Sequence, residues 1–582
     1  MINLITENID IWTSAQIQKN GTGRGNGSAN QSLYGIKKLR ELILKLAVRG
    51  KLVPQDPKDE PAKVLLEKIS KEKARLIKEG KLKKQESLLK INDDEKPHEL
   101  PEGWTWVRIG DIAQHNSGKT LDSGRNSGSL REYITTSNLY WGFFVLDELR
   151  QMPFMDEEID KYTAKQFDLL VCEGGEAGRA AVWHYAHDIC FQNHIHRVRL
   201  FGGIDSYYIF RLLQKMSYTG DIDLYRKGVG ISNMSGKALA SIVVPLPPIA
   251  EQHRIVVTVD ELMAICDQLE RKQTDSNAAH QTLVETLLAT LTSAANPGEF
   301  IEAWQRIADH FDILFTTEQS IDQLKQTILQ LAVMGKLVPQ DPNDEPASVL
   351  LEKIAKEKAR LVKEGKIKKE KPLPTISAAE KIFELPNGWT WVRWHTIALK
   401  IGDIDHAMPD QVKDGYPYVS PRDFLQNNGI DLEGAKKISE EDFLRLAAKI
   451  QPQKGDIIYP RYGTIGENRL VETEADFLAS YSCCVIKTML NFIEPKYQFI
   501  FSISTLAKDQ AKQAENKTTQ ANVGIKSIQN YLVPLPPSTE QQRIVAKVNE
   551  LMAICDTLKA GLKDAQTTQI HLADAIVEQA MS

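Results

Sequence analysis

At 582 residues the chain has room for roughly three to five domains, and a hydrophobic content of 42% supplies several cores. The N-terminus MINLITENIDIWTSAQ lacks a basic start, and no run approaches the ~18 apolar residues of a membrane span, so a cytoplasmic protein is expected. A net charge of −5 disfavours bulk attraction to nucleic acid; a DNA partner would need locally placed cations, or cations borrowed from another subunit.

In chain order, residues 1–33 read as a leader, flexible at the Gly/Ser/Asn-rich stretch 20–32. A helical region, 34–100, follows. Ile36, Leu39, Ile43, Leu46 and Ala47 share one helical face, Gly50 sits where a C-terminal cap belongs, and a charged helix spans about 62–80. Residues 104–248 alternate short apolar runs with Gly and Asp, as expected of an α+β domain with several short strands. A long spacer helix opens the region 249–385, with a break expected near Asp275–Asn277. A second α+β block, 389–537, and a final helix, 538–582, complete the chain.

The second half repeats the first. GKLVPQDP occurs at 50–57 and again at 335–342, and ELPEGWTWVR at 99–108 returns as ELPNGWTWVR at 384–393, both offset by 285. VPLPPIAEQHRIV at 244–256 returns as VPLPPSTEQQRIV at 533–545, offset by 289. A period this long marks a duplicated domain plus connector, well beyond a solenoid repeat. Between these landmarks the blocks diverge, yet Gly175 and Gly178 match Gly463 and Gly466, the pattern of a fixed turn with a variable surface. Ile255, Val259, Leu262, Cys266 and Leu269 are spaced 4, 3, 4, 3, and Ile544, Val548, Leu551, Cys555 and Leu558 repeat that spacing. Each stripe is expected to pair with the other as a two-stranded seam between the heads. The fold class expected is α+β: two similar heads separated by long antiparallel coiled-coil helices, with internal pseudo-two-fold symmetry.

Catalytic and metal chemistry find little support. Ala113-x4-Gly118-Lys119-Thr120 matches a relaxed phosphate loop, but the second copy has ALKIGDID there, without Gly-Lys-Thr. The six cysteines, Cys172, Cys190, Cys266, Cys483, Cys484 and Cys555, show no CxxC pairing. His194 and His196, at i and i+2, would share a face on a strand and could meet a metal or DNA. The second copy carries Ser482 and Cys484 at those places, which favours partly buried, satisfied histidines over a ligand set. No catalytic centre is expected.

The LPxGWxWVR and VPLPPxxEQxRIV motifs, the helix ending at LAVxGKLVPQDP and the two diverged blocks together resemble the DNA-specificity subunit of type I restriction–modification enzymes, from about Tyr34 onward. That resemblance implies a non-enzymatic subunit whose two target recognition domains each read one half of a split, asymmetric double-stranded DNA target, with the long helices setting the gap. It implies partners: two methyltransferase subunits and, in the full complex, restriction subunits. S-adenosylmethionine, ATP and Mg²⁺ would sit on those partners, none on this chain. Base readers are sought among Arg, Asn, Gln and His on the glycine loop and adjoining strand. The candidates are Arg179, Asn193, His194 and His196 in the first head, and Arg422, Arg461, Tyr462 and Asn468 in the second. Asn233 and Lys237, and their counterparts Asn522 and Lys526, recur in both heads, which favours a DNA-backbone or structural role. A duplicated interaction scaffold without DNA, and a self-contained restriction or modification enzyme, are the alternatives. The first should ignore DNA at every salt concentration, and the second needs a cofactor or metal motif.

Overall fold

Two near-copies of one sequence fold into two near-copies of one unit. The computed structural model describes residues 1–18, 31–82, 88–122, 127–228, 232–369, 373–406, 408–425, 428–515 and 522–581. One unit comprises Met1–Ser276 with Ala565–Ser582, the other Asn277–Asp564. The long helices Ile249–Ser293 and Ser538–Met581 each give one end to each unit, in opposite order, which is the antiparallel arrangement. The first runs unbroken through Asp275–Asn277, where a break was expected. Asp, Ser and Asn each cost an exposed helix only about half a kcal/mol relative to alanine, and the good helix formers on either side carry it through.

Each head is built on the same sheets. In the first, strands run in the order Ala180–Val182, Leu169–Cys172, Ile195–Leu200, Ala113–Ser117, all antiparallel. Its counterpart runs Arg469–Leu470, Ile457–Pro460, Cys483–Thr488, Ala398–Gly402. A second sheet in each head contains one parallel pairing, Ile189–Phe191 with Ser129–Ile134 and Leu478–Ala479 with Tyr416–Val419.

The invariant motifs recur because they touch one another. The strand of the first motif, Thr105–Arg108, pairs with Val243–Leu246 of the second, and Thr390–Arg393 pairs with Leu532–Leu535. Trp104 Nε1 donates to Glu251 at 2.9 Å, and Trp389 Nε1 to Glu540 at 2.9 Å, with all four residues buried. Burial pushes both carboxyls above the usual carboxylate range, while the indole bonds pull the other way. One turn on, Arg254 reaches Asp59 at 2.7 Å and Arg543 reaches Asp344 at 2.6 Å, which ties in the GKLVPQDP segment. A change in any motif would leave a buried partner unsatisfied in the others.

Two expectations are corrected. The first fifteen residues of the leader are packed structure: helices Ile2–Glu7 and Ile9–Ser14 bury Ile5 and Trp12, and a Cβ on Gly35 would stand 2.4 Å from the Trp12 carbonyl oxygen. Their counterparts in the second unit are the buried Ile307 and Leu314, offset by 302 where Gly50 and Gly335 are offset by 285. The repeat therefore reaches back to residue 5, and the difference, 302 − 285 = 17 residues, is extra length between Trp12 and Ile36, the segment that holds the Gly/Ser-rich stretch. Residues 19–30, which include most of that stretch, lie outside the described residues.

The second correction concerns the seam. Ile255, Val259, Leu262 and Cys266 are buried with Leu39, Leu42 and Ile43 of their own unit and with Ala573 and Val577 at the end of the other long helix. Ile544, Val548 and Cys555 are buried with Ile321, Leu324 and Ile328, and with Val284, Leu288 and Leu291. In each unit the stripe packs against the last turns of the opposite helix, and the short helices Tyr34–Val48 and Glu318–Val333 complete each bundle. Ion pairs mark the same seam in both units: Arg40 with Asp267 and Glu270, each at 2.6 Å, and Lys325 with Asp556.

Candidate nucleic-acid interface

The glycine loops have one backbone in two heads. Gly175 and Gly178 stand at φ +74° and +88°, and Gly463 and Gly466 at +73° and +90°. A Cβ at Gly175 or Gly463 would meet nothing within 4 Å, so both loops are open to a ligand. Beside each runs the segment before the closing motif: Asn233 pairs with Gly174 by backbone bonds, and Asn522 pairs with Tyr462. Gly174 and Tyr462 are equivalent positions, so this contact too is common to both heads. Asn233, Lys237 and Lys526 are exposed, while Asn522 and Tyr462 are half-buried.

In the first head the predicted residues divide. Asn193 and His194 form the turn that precedes Ile195–Leu200, with His194 exposed. His196 is on the strand and only 1% exposed, which removes it from any groove. Its Nδ1 lies 2.9 Å from Nε2 of His115 and its Nε2 lies 2.9 Å from the Met234 carbonyl oxygen. The i, i+2 argument fails because the strand starts between the two histidines. Burial, reinforced by the neighbouring His196 and Arg197, drives the His115 pKa down to about 4, and burial lowers that of His196 as well. Both rings are therefore neutral near pH 7. Arg179 is committed internally, donating to the Thr136 carbonyl at 2.7 Å and pairing with Glu176 at 3.3 Å.

In the second head Arg422 is exposed, with a side-chain accessibility of 70%. Arg461 is buried: its guanidinium pairs with Asp403 and donates to the Val523 carbonyl at 3.2 Å, beside the Tyr462 ring. Asn468 is 1% exposed and donates to the Ser502 carbonyl at 2.7 Å. Arg461 and Asn468 therefore hold the loop and do not face solvent. Spacing alone could not tell a loop residue that points out from one that points in.

Sequence reasoning missed His115, Asp403 and Arg469. His115 becomes legible only when AQHNS is paired with IHRVRL, in a register that puts it two residues from the partner of His196 and on the same face. Asp403 stands where the first copy has Gly118, so comparing the copies gave no sign of its role. Lys119 of the phosphate-loop match is buried, and its ammonium donates to the Pro153 carbonyl at 2.9 Å and Glu158 at 2.5 Å, so it faces no open loop. Among the described residues no group of three or more His, Cys, Asp or Glu could hold a metal, and no helix is long and apolar enough to cross a membrane.

Residues 101–276 and 396–565 match the family model described as the type I restriction modification DNA specificity domain. The chain is 38% identical to the type I restriction enzyme EcoEI specificity subunit of Escherichia coli and 37% identical to the EcoAI specificity subunit of the same species. Each comparison covers 100% of this chain and 99% of the relative. Among solved structures, the HsdS subunit from Thermoanaerobacter tengcongensis aligns at 16% identity and a TM-score of 0.41, covering 83% of this chain and 98% of that one.

Proposed function

The chain belongs to the type I restriction–modification DNA specificity family, and from that premise we propose that its two heads each read one half of a split double-stranded DNA target with unlike halves. One observation carries the reading: the matched glycines of the two loops agree in φ to within a few degrees and each loop has the same flanking contact, while the outward residues differ. A fixed frame with changeable side chains is what direct readout of different bases requires. His194 and Asn193 in the first head, and Arg422 and Tyr462 in the second, are the outward candidates for base edges. The recurring Lys237 and Lys526 suit phosphates, which position without selecting sequence.

This role is recognition, and the chemistry belongs to partners. Two methyltransferase subunits would dock on the repeated surfaces, since a duplicated chain offers two equivalent faces, and restriction subunits would join through them. S-adenosylmethionine, ATP and Mg²⁺ would be bound there, in the cytoplasm. Cations supplied by the same partners would offset the near-neutral heads, which carry 15 Lys+Arg against 16 Asp+Glu over 104–245 and 17 against 18 over 389–534. The antiparallel long helices would fix the number of unread base pairs.

The test is single-molecule sequencing of methylated bases in cells carrying this chain with a type I methyltransferase subunit, against cells carrying the methyltransferase alone. A new motif of two unlike halves with a constant gap is expected. An assembled complex that adds no new motif would refute the reading.

A further inference from the structure

Both heads carry a second loop whose base is the same and whose tip is not. In the first head Asn138 Oδ1 accepts from the Thr135 amide at 3.0 Å and hydroxyl at 2.7 Å. In the second, Asp423 Oδ2 accepts from the Ser420 amide at 2.7 Å and hydroxyl at 2.9 Å. Thr135 and Asn138 map onto Ser420 and Asp423 at the common offset of 285. The Val145 amide then donates to the Asn138 carbonyl, and the Asp431 amide to the Asp423 carbonyl, both at 2.8 Å. A bridge closes each loop, Leu139 with Phe144 and Phe424 with Ile430. Beyond this shared base the sequences part: Tyr140-Trp141-Gly142-Phe143 in one head, Leu425 to Gly429 in the other.

An arginine braces each loop, from a different position. Arg179 bonds the Thr136 carbonyl and lies 5.2 Å from the Tyr140 ring centroid. Arg469, on the strand next to the second glycine loop, donates to the Leu425 carbonyl at 3.0 Å and lies 4.7 Å from the Phe424 ring. In the first head Trp141 Nε1 adds a bond to Glu176 at 2.7 Å, which locks the tip against the glycine loop. What the tip presents is a pair of aromatic rings, Tyr140 and Phe143, stacked at 5.1 Å and 8°, with 40% and 52% of their surface exposed. Two large rings held rigid in water are preorganised for contact, because little side-chain freedom is left to lose on binding.

We propose that the Tyr140–Phe143 tip is a base-reading element of the first head, its stacked rings meeting thymine methyls or base edges in the DNA groove, and that Arg179 positions it. This rests on the DNA-specificity reading above. The nature of the occupant follows from the duplication. Two identical protein partners would hold both tips to one sequence, whereas a target with unlike halves requires tips that differ on a common base. Apolar contact with the thymine methyl is an established mode of direct readout.

The experiment is the methylated-base sequencing described above, run on the full chain with its methyltransferase. Tyr140→Ala/Phe143→Ala should relax one or more positions of one half-site by about tenfold in discrimination, leaving the other half and the gap unchanged. Phe143→Ser, which removes only a half-exposed ring, should relax a subset of the same positions and guards against a variant that fails to fold. Arg179→Lys keeps the charge but loses the planar fork, and should relax those positions more weakly. Tyr140→Phe/Phe143→Tyr keeps both rings and should restore the full motif. An unchanged motif in the Phe143→Ser and double-alanine complexes would overturn the proposal. So would loss of methyltransferase co-purification in Phe143→Ser, which would make the tip a protein contact. If the unsubstituted chain gives no split motif, the DNA reading itself fails and the tip proposal falls with it.

Discussion

Beneath the glycine loop the two heads solve one packing problem with different chemistry. In the first, His196 and His115 face each other at 2.9 Å, and the equivalent of Arg461 is Glu173. In the second, the position of His196 is Cys484, fully buried, and Arg461 is paired with Asp403. The φ angles of the matched glycines nevertheless agree to within 2°. The backbone is thus set by glycines, by the ladder to Asn233 or Asn522, and by the invariant motif junction, while the side chains between them are free to change.

Four measurements separate what the two heads share from what they do not. The largest effect should be the same in both units: Trp104→Ala and Trp389→Ala each remove a buried indole and its bond to a buried carboxyl, at a cost of about 3–5 kcal/mol. Hydrogen exchange resolved by unit would read this, and a silent substitution in either unit would mean the junction is not equivalent. Next, Arg461→Ala should destabilise the second head alone by about 3 kcal/mol, because Asp403 loses its buried partner. A changed half-site with unchanged exchange protection would return Arg461 to the base readers.

Acid should separate the heads. A base whose folded pKa lies below its unfolded value resists the proton that the unfolded chain accepts, so stability is lost as pH falls. For His115 the window runs from about 6.5 down to about 4, and the loss is on the order of 3 kcal/mol in the first head. Unfolding followed against pH should show it, and His115→Gln should weaken that dependence, leaving the share that His196 carries. An undiminished dependence in the variant would place the titrating group elsewhere. The smallest effect is on the loops: Gly175→Ala and Gly463→Ala should cost about 1 kcal/mol each, and equally, because positive φ is strained for alanine although space is free. Unequal costs in hydrogen exchange would contradict a shared loop geometry.

The duplication, the α+β heads and the antiparallel long helices were legible because repeats and apolar periodicity are written in one dimension. The family resemblance was carried by motifs that the structure shows in contact: Trp104 bonds Glu251, and Thr105–Arg108 pairs with Val243–Leu246. The inward turn of His196, Arg461 and Asn468 was not legible, because a loop has no period to betray its facing side. The partners of the helical stripes were misjudged for a related reason: periodicity marks the buried face of a helix and is silent on what covers it. Ile5 and Trp12 escaped notice because an inserted stretch shifts their offset from 285 to 302.

Duplicating one head puts the division of labour between the heads to the test. Replacing residues 104–248 with a second copy of 389–537 keeps both motif junctions, because the Trp–Glu and strand pairings are the same in each unit. Sequencing of methylated bases in cells carrying this chimera and the methyltransferase should reveal a symmetric split motif, the second half-site repeated in inverted orientation. An assembled chimera that still methylates two unlike halves would contradict the claim that each head reads its own half.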